Sequence, residues 1–153
     1  MVKEVKGDLL MADVDVICHQ VNCQGKMASG IAKTIREKYP EVYQEYMRLC
    51  DSVDHEALLG QIQSVALHAE DKDLIVINMF AQYNYGYDGR RYTSYDAFYN
   101  CLHHIRTCVD KELTIGFPKN IGCCRGGANW NVIRTMIEDI LFDREVYIYE
   151  LEV

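Results

Sequence analysis

Apolar positions along the chain recur with two periods, and each switch between them predicts an element. Lys3 to Val5 reads as a short strand closed by Gly7-Asp8. Asp13 to Cys18 (Asp-Val-Asp-Val-Ile-Cys) is a second strand, which runs into a polar loop carrying Asn22 and Gly25. Ile31 to Tyr39 and Pro40 to Cys50 have helical spacing, and Pro40 sets their junction because proline suits a first helical turn and not an interior. Gln61 to Leu67 and Leu74 to Phe80 predict strands, the latter reading as continuously apolar, as expected of a strand covered on both faces. Tyr95, Phe98, Leu102, Ile105 and Val109 fall on one helical face. Leu113 to Phe117 predicts another strand, followed by a loop from Pro118 to Asn129. Val132, Ile133, Met136, Ile137, Ile140 and Leu141 mark a last helix, and Glu145 to Leu151 a last strand. Such alternation implies one α/β domain over 1–153, with a central, largely parallel or mixed sheet between helical layers. Ligands in such folds bind outside the carboxyl ends of the strands. Three loops qualify: 22–29, 81–93 and 118–129.

Composition narrows the function classes. The 153 residues are 49% hydrophobic and 25% charged, ordinary for a globular domain. A formal net charge of −7 disfavours a broad nucleic-acid or anionic-membrane surface. No apolar run is long enough to span a bilayer and no signal-peptide pattern opens the chain, so it reads as cytoplasmic. The seven cysteines are odd in number and form no CxxC pair, which favours free thiols in a reducing compartment. Cys101, His104 and Cys108 share a helical stripe, but no fourth metal ligand announces itself; no metal or cofactor is expected.

The stretch His19 to Pro40 carries the strongest functional signal. A strand feeds a glycine-bearing loop that opens a helix at Ser29-Gly30, an arrangement that presents N–H groups and a positive helix end to phosphate. An ordinary strand-to-helix turn would look similar. The loop Pro118-Lys-Asn-Ile-Gly-Cys-Cys-Arg-Gly-Gly-Ala-Asn-Trp130 repeats the arrangement, so two loops could clamp a diphosphate from opposite sides. Neither is a P-loop, and GxGxxG is absent. The loop Gln82-Tyr-Asn-Tyr-Gly-Tyr-Asp-Gly-Arg-Arg-Tyr92 could be a ligand flap or a solvated excursion. Taken alone, Asp8 reads as a turn aspartate and His19 as a core or strand-end histidine, while Tyr147 and Tyr149 could stack on a base or simply pack.

Together these blocks resemble the macrodomain family, which binds ADP-ribose. The resemblance spans essentially the whole chain: Lys6-Gly-Asp-Leu-Leu10, His19 to Ala32, Asn78-Met-Phe-Ala-Gln82, Tyr85 to Thr93 and Pro118 to Trp130. They are most similar to short phage, bacterial and yeast macrodomains of the ADP-ribose 1″-phosphate phosphatase type. The resemblance implies a three-layer α/β/α fold with a mixed, mostly parallel sheet of about six strands. It implies that Asp8 accepts from the adenine amino group beside the Leu9 backbone, with Tyr149 near the adenine. Asn22 would contact the terminal ribose and is the one catalytic candidate. Gly25, Met27, Ser29, Gly30, Ile31 and Ala32 would line the ribose and one side of the diphosphate. Gly122, Cys123, Cys124, Arg125, Gly126 and Gly127 would form the opposing phosphate loop, and Gln82 completes the set.

Two departures bear on catalysis. Ala81-Gln82 stands where a related glycohydrolase subgroup has a lysine, and Asn129 replaces an acidic residue before Trp130, so it cannot serve as a carboxylate base. The expected partner is ADP-ribose or an ADP-ribosylated macromolecule. The alternatives are a hydrolase removing a group from the terminal ribose and a non-catalytic ADP-ribose reader. A nucleic-acid or partner-binding module working through the tyrosine–arginine loop is disfavoured by the acidic balance.

Overall fold

The computed structural model describes residues 2–152. The strands are β1 (Val2–Lys6), β2 (Val16–Asn22), β3 (Ile62–Ala69), β4 (Lys72–Gln82), β5 (Ile115–Pro118) and β6 (Val146–Glu150). The helices are α1 (Gly30–Lys38), α2 (Pro40–Ser52), α3 (His55–Leu58), α4 (Tyr95–Cys108) and α5 (Trp130–Ile140), with a 3-10 turn at Leu9–Met11. Among the described residues they form one six-stranded sheet in the order β1-β6-β5-β2-β4-β3. Every neighbouring pair is parallel except β3 with β4, which are joined by a tight turn and run antiparallel. The expected mixed α/β/α architecture is therefore the observed one.

Alternation along the central strands divides the core in two. Val16 and Cys18 of β2, with Ile77, Met79 and Ala81 of β4, meet α4 and α5 through Phe98, Leu102, Ile105, Ile133 and Ile137. Ile17 and Val21, with Val76 and Phe80, meet α1 and α2 through Ile35, Val42 and Tyr46. Large side chains in both clusters are fully buried. Each contributes about 1.5–3 kcal/mol of hydrophobic stabilisation relative to exposure.

The main correction falls on β2. It runs from Val16 to Asn22 and not from Asp13 to Cys18, so His19, Gln20 and Asn22 belong to the strand instead of the loop. Polar residues hid the strand's end, where pairing with β4 continues to Asn22 while β5 pairs only Val16 and Ile17. β4 likewise extends to Gln82. The register shifts between Val21 and Asn22, so that Val21 faces Phe80 while Asn22 faces Gln82. This bulge brings Asn22 and Gln82 side by side at the carboxyl edge of the sheet. α3 and the 3-10 turn are too short to leave a periodic signal.

Candidate functional site

The first loop is shaped by Asn22. Its Oδ1 accepts from the N–H of Gln24 at 3.0 Å and of Lys26 at 3.3 Å, while its Nδ2 donates to the Lys26 carbonyl at 2.7 Å. From α2, the Tyr46 hydroxyl donates to the Asn22 carbonyl at 2.6 Å and lies 3.0 Å from Oδ1. Tyr46 is fully buried and stacked on Phe80, and burial raises its phenol well above the ordinary range. Asn22 thus spends its oxygen and one N–H on the loop, leaving one N–H for any ligand. The loop ends at Ser29, the N-cap of α1, whose side chain makes no capping bond. Gly30, Ile31 and Ala32 bring the first turn of α1 to the cavity. N–H groups at a helix start lack intrahelical acceptors and lie at the positive end of the helix dipole.

The opposing loop works differently. It folds on itself through Ile121 N–H to Pro118 O, Cys123 N–H to Asn120 O and Ala128 N–H to Gly122 O. Its following helix does not reach the cavity: α5 starts at Trp130, and Asn129 caps it by accepting from Asn131 N–H. The expectation of two helix ends facing one ligand is therefore corrected to one helix end and one turn. Gly126 anchors the turn, accepting from the N–H groups of Tyr92 and Thr93 at 2.8 and 3.0 Å. A Cβ on Gly126 would lie 2.3 Å from Thr93 Oγ1 and 2.5 Å from the Gly122 carbonyl, so only glycine fits.

Between them, the loop after β4 is organised and not simply solvated. The Asp88 carboxylate accepts from the Tyr92 hydroxyl at 2.9 Å and from Arg90 N–H at 3.2 Å. These bonds, the backbone one first, hold Asp88 below the usual carboxylate range. The Arg125 guanidinium stacks over the Tyr87 ring at 3.9 Å, joining this flap to the opposing loop.

A cavity of about 530 Å³ opens between the three loops. Of the expected residues, Asn22, Ser29, Gly30, Ile31, Ala32, Gln82, Gly122, Cys124, Arg125 and Gly126 line it. Others stand outside its wall. Met27 is buried in the α1/α2 core, and Gly25 packs against Met47, where an added Cβ would sit 3.3 Å from the sulfur. Cys123 is half-buried against the α4/α5 core, its thiol pushed up to about 11 by burial. Gly127 packs on the Arg90 and Arg91 backbone. Leu9 is buried, and Asp8 caps the 3-10 turn by accepting from Leu10 N–H at 2.9 Å. Tyr149 lies against Gly7 at the end of β1, and its carbonyl accepts from the N–H of Lys119, a lining residue.

The cavity also contains Gln20, Val21 and Pro118 to Ile121, together with Lys26 and Ala28 of the 25–32 stretch and Tyr85 to Tyr87 of the flap. Tyr85 and Tyr87 were visible as part of the flap. Gln20 gave no signal, because the sequence pattern places it in the loop after Cys18 and the structure places it in β2. The lining is notable for charge. It holds Lys26, Lys119 and Arg125 and, among the described residues, no Asp, Glu or His. In a chain of net charge −7, such a lining is selective for an anion. Lys119 is already engaged by Glu4 at 3.2 Å and Glu150 at 3.0 Å.

The remaining candidates are structural. His19 is fully buried, its Nε2 2.5 Å from Asn78 Oδ1, and burial holds its imidazole down at about 4. Cys101 is buried in the core and its thiol donates to the Gln61 carbonyl, while Cys108 is exposed, so their shared stripe is not a ligand set. No group of three or more metal-ligating side chains occurs among the described residues. No helix there is long and apolar enough to cross a membrane.

Comparison with known proteins bears on this geometry. The family model described as Macro domain matches residues 18–137. An uncharacterized 17.5 kDa protein of Enterobacteria phage T4 is 26% identical across 99% of this chain and 97% of its own length. The DNA ADP-ribosyl glycohydrolase of Thermus aquaticus is 23% identical over 98% of this chain, which spans only 41% of that enzyme. The ADP-ribose 1″-phosphate phosphatase of Aspergillus oryzae is 42% identical over a 50-residue segment, covering 32% of this chain and 25% of the phosphatase. Among solved structures, the macrodomain of Thermus aquaticus DarG superimposes with a TM-score of 0.79 at 22% identity, covering 97% of each chain. Thermosipho africanus DarTG in complex with ADP-ribose also gives 0.79, at 18% identity, over 97% of this chain and 41% of that one.

Proposed function

The chain belongs to the Macro domain family, and from that membership we propose that its cavity binds ADP-ribose or a derivative. The observation that carries this reading is the lining itself: an uncapped helix start facing a cavity that, among the described residues, holds cationic and no acidic side chains. The diphosphate would lie between the first turn of α1 and the 122–126 turn. Adenine would extend toward Asp8, Leu9 and Tyr149, and the terminal ribose toward Asn22 and Gln82. Its volume suits a ligand of this size. The neighbour solved with ADP-ribose and the relatives named for ADP-ribose chemistry support the same ligand.

The test uses Ser29→Asp. An N-cap aspartate strengthens a helix start, yet it sets a carboxylate on the N–H groups assigned to the diphosphate. Calorimetry with ADP-ribose should show binding by the wild type and roughly a tenfold or greater loss in the variant, with the melting temperature unchanged or raised. Wild-type protein that does not bind ADP-ribose would refute the reading.

A second reading, hydrolysis of a group on the terminal ribose, is favoured by the hydrolase names of the relatives. Among the described residues the cavity offers N–H and cationic groups to a departing oxyanion but no carboxylate or imidazole to activate water. Turnover of ADP-ribose 1″-phosphate or of ADP-ribosylated protein or DNA, followed by product analysis, separates a hydrolase from a reader. No product from any of them, with ADP-ribose binding intact, leaves the reader.

A further inference from the structure

We propose that Gln82 is a specificity-determining residue that shows a hydrogen-bond donor to the substituent on the terminal ribose, and that Gln20 and Thr93 are the positioning residues that hold it in that sense. The inference rests on the ADP-ribose reading above. Its physical basis is a chain of hydrogen bonds beneath the Asn22–Gln82 end of the cavity. Thr93 Oγ1 donates to the Gly122 carbonyl at 2.8 Å. Gln20 Nε2 donates to Thr93 Oγ1 and to Gln82 Oε1, both at 2.8 Å. Gln82 Nε2 donates to the Asn84 carbonyl at 2.8 Å.

Both ends of this chain are backbone carbonyls, which can only accept. The Gly122 carbonyl obliges the Thr93 hydroxyl to donate, so the Thr93 oxygen must take its own bond from an N–H of Gln20. The second N–H of Gln20 then meets the oxygen of Gln82. At the other end, the Asn84 carbonyl requires the nitrogen of Gln82. Every amide in the relay therefore has one orientation. Gln20 Oε1 is left buried beside Gly122 without a partner among the described residues, as expected if the relay and not local comfort sets the amide.

For the ligand, the consequence is polarity. Gln82 lines the cavity with its oxygen already used and one N–H unclaimed. An N–H favours an acceptor such as a phosphate or ester oxygen over a donor such as a guanidinium. Neutral glutamine also cannot take up a proton, so its part is recognition and not base catalysis.

The experiment compares two probes, ADP-ribose and ADP-ribose 1″-phosphate, by rapid displacement of a fluorescent ADP-ribose before any turnover. The terminal hydroxyl of ADP-ribose can donate or accept, whereas the phosphate only accepts at neutral pH. In Gln82→Glu the preference for the phosphorylated probe should fall roughly tenfold more than affinity for ADP-ribose itself. Thr93→Val, which breaks the relay away from the ligand, should lower the same ratio, and Thr93→Ser should restore it. A merely structural role would weaken both probes equally. Should Thr93→Val not fold, Gln20→Met replaces it as the relay break. A ratio unchanged in Gln82→Glu and in the relay variant, with ADP-ribose still bound, overturns this inference alone. Failure of the wild type to bind either probe overturns the ligand reading instead.

Discussion

The two walls of the cavity look alike in sequence and are built on different principles. Residues 23–29 and 119–129 are both glycine-bearing loops that follow a parallel strand and precede a helix. The first wall presents a helix start and is held from below by α2, through Tyr46 on Asn22. A second polar chain ties the same helix to the sheet, from His19 to Asn78, from Asn78 to Gln63 and from Gln63 to the Glu45 carbonyl. The second wall presents a turn and is held from the base of α4 by Thr93, with Gly126 at the point of closest approach. One wall thus depends on a buried aromatic hydroxyl and a buried imidazole, the other on a glycine with no room for a methyl group. A shared loop pattern fixes neither the donor geometry nor its support.

The difference should be sharpest in glycine substitutions. Gly126→Ala drives a methyl group into the Gly122 carbonyl and Thr93, so the turn must rearrange. It should destabilise the protein by about 3 kcal/mol, near the upper end for overpacking, and abolish ADP-ribose binding. Gly30→Ala, where nothing lies within 4 Å of the new methyl and only the φ of 59° opposes it, should cost about 1 kcal/mol. Chemical denaturation and calorimetry on the two variants measure the contrast; equal effects would show that the walls are supported alike.

Acid should act on the first wall before the second. His19 has its pKa lowered by burial to about 4 in the folded protein, against an ordinary value near 6.5. Its neutral form is the one that folding favours, so this stabilisation is complete above about pH 6.5. It is lost as the pH falls from there to about 4, by about 3 kcal/mol in total. The clasp of the second wall, Gln20, Thr93 and Gly122, contains no titratable side chain. Hydrogen exchange between pH 7 and 4.5 should therefore show residues 22–32 losing protection earlier than residues 119–128. Simultaneous loss would break the comparison.

Smaller effects follow from single contacts. Tyr46→Phe keeps the ring on Phe80 but leaves the buried Asn22 carbonyl short of its side-chain donor, costing about 1–3 kcal/mol in urea unfolding. It should weaken ADP-ribose through the first loop while leaving the Thr93 contacts unchanged by NMR. Smallest is Arg125→Ala, which removes an exposed cation and its stacking on Tyr87. A loss of about threefold in ADP-ribose affinity is expected at low salt, shrinking as salt is added.

Much of the fold was legible because its signals are periodic. The near-continuous apolar run of β4, the stripes of α4 and α5 and the Pro40 junction each report local geometry repeated over many residues. Where the signal is a single polar residue, legibility ended. Gln20 and Asn22 resembled loop residues although they close β2, because the backbone pairing with β4 that keeps them in the strand leaves no mark in side-chain type. Tyr46 and Thr93 carry no local mark of their work, since their partners lie 24 and 29 residues away.

The sequence by itself determined the alternating α/β order, the three loops at the strand ends and the glycines that those loops require. Side-chain type and spacing encode these directly. Only the tertiary structure decided that one helix start faces the cavity and the other does not, that the lining among the described residues holds no acidic side chain, and which way the amide of Gln82 points. Each of those depends on hydrogen-bond donors and acceptors brought together from distant elements. A glutamine has no preferred polarity until fixed carbonyls on either side impose one.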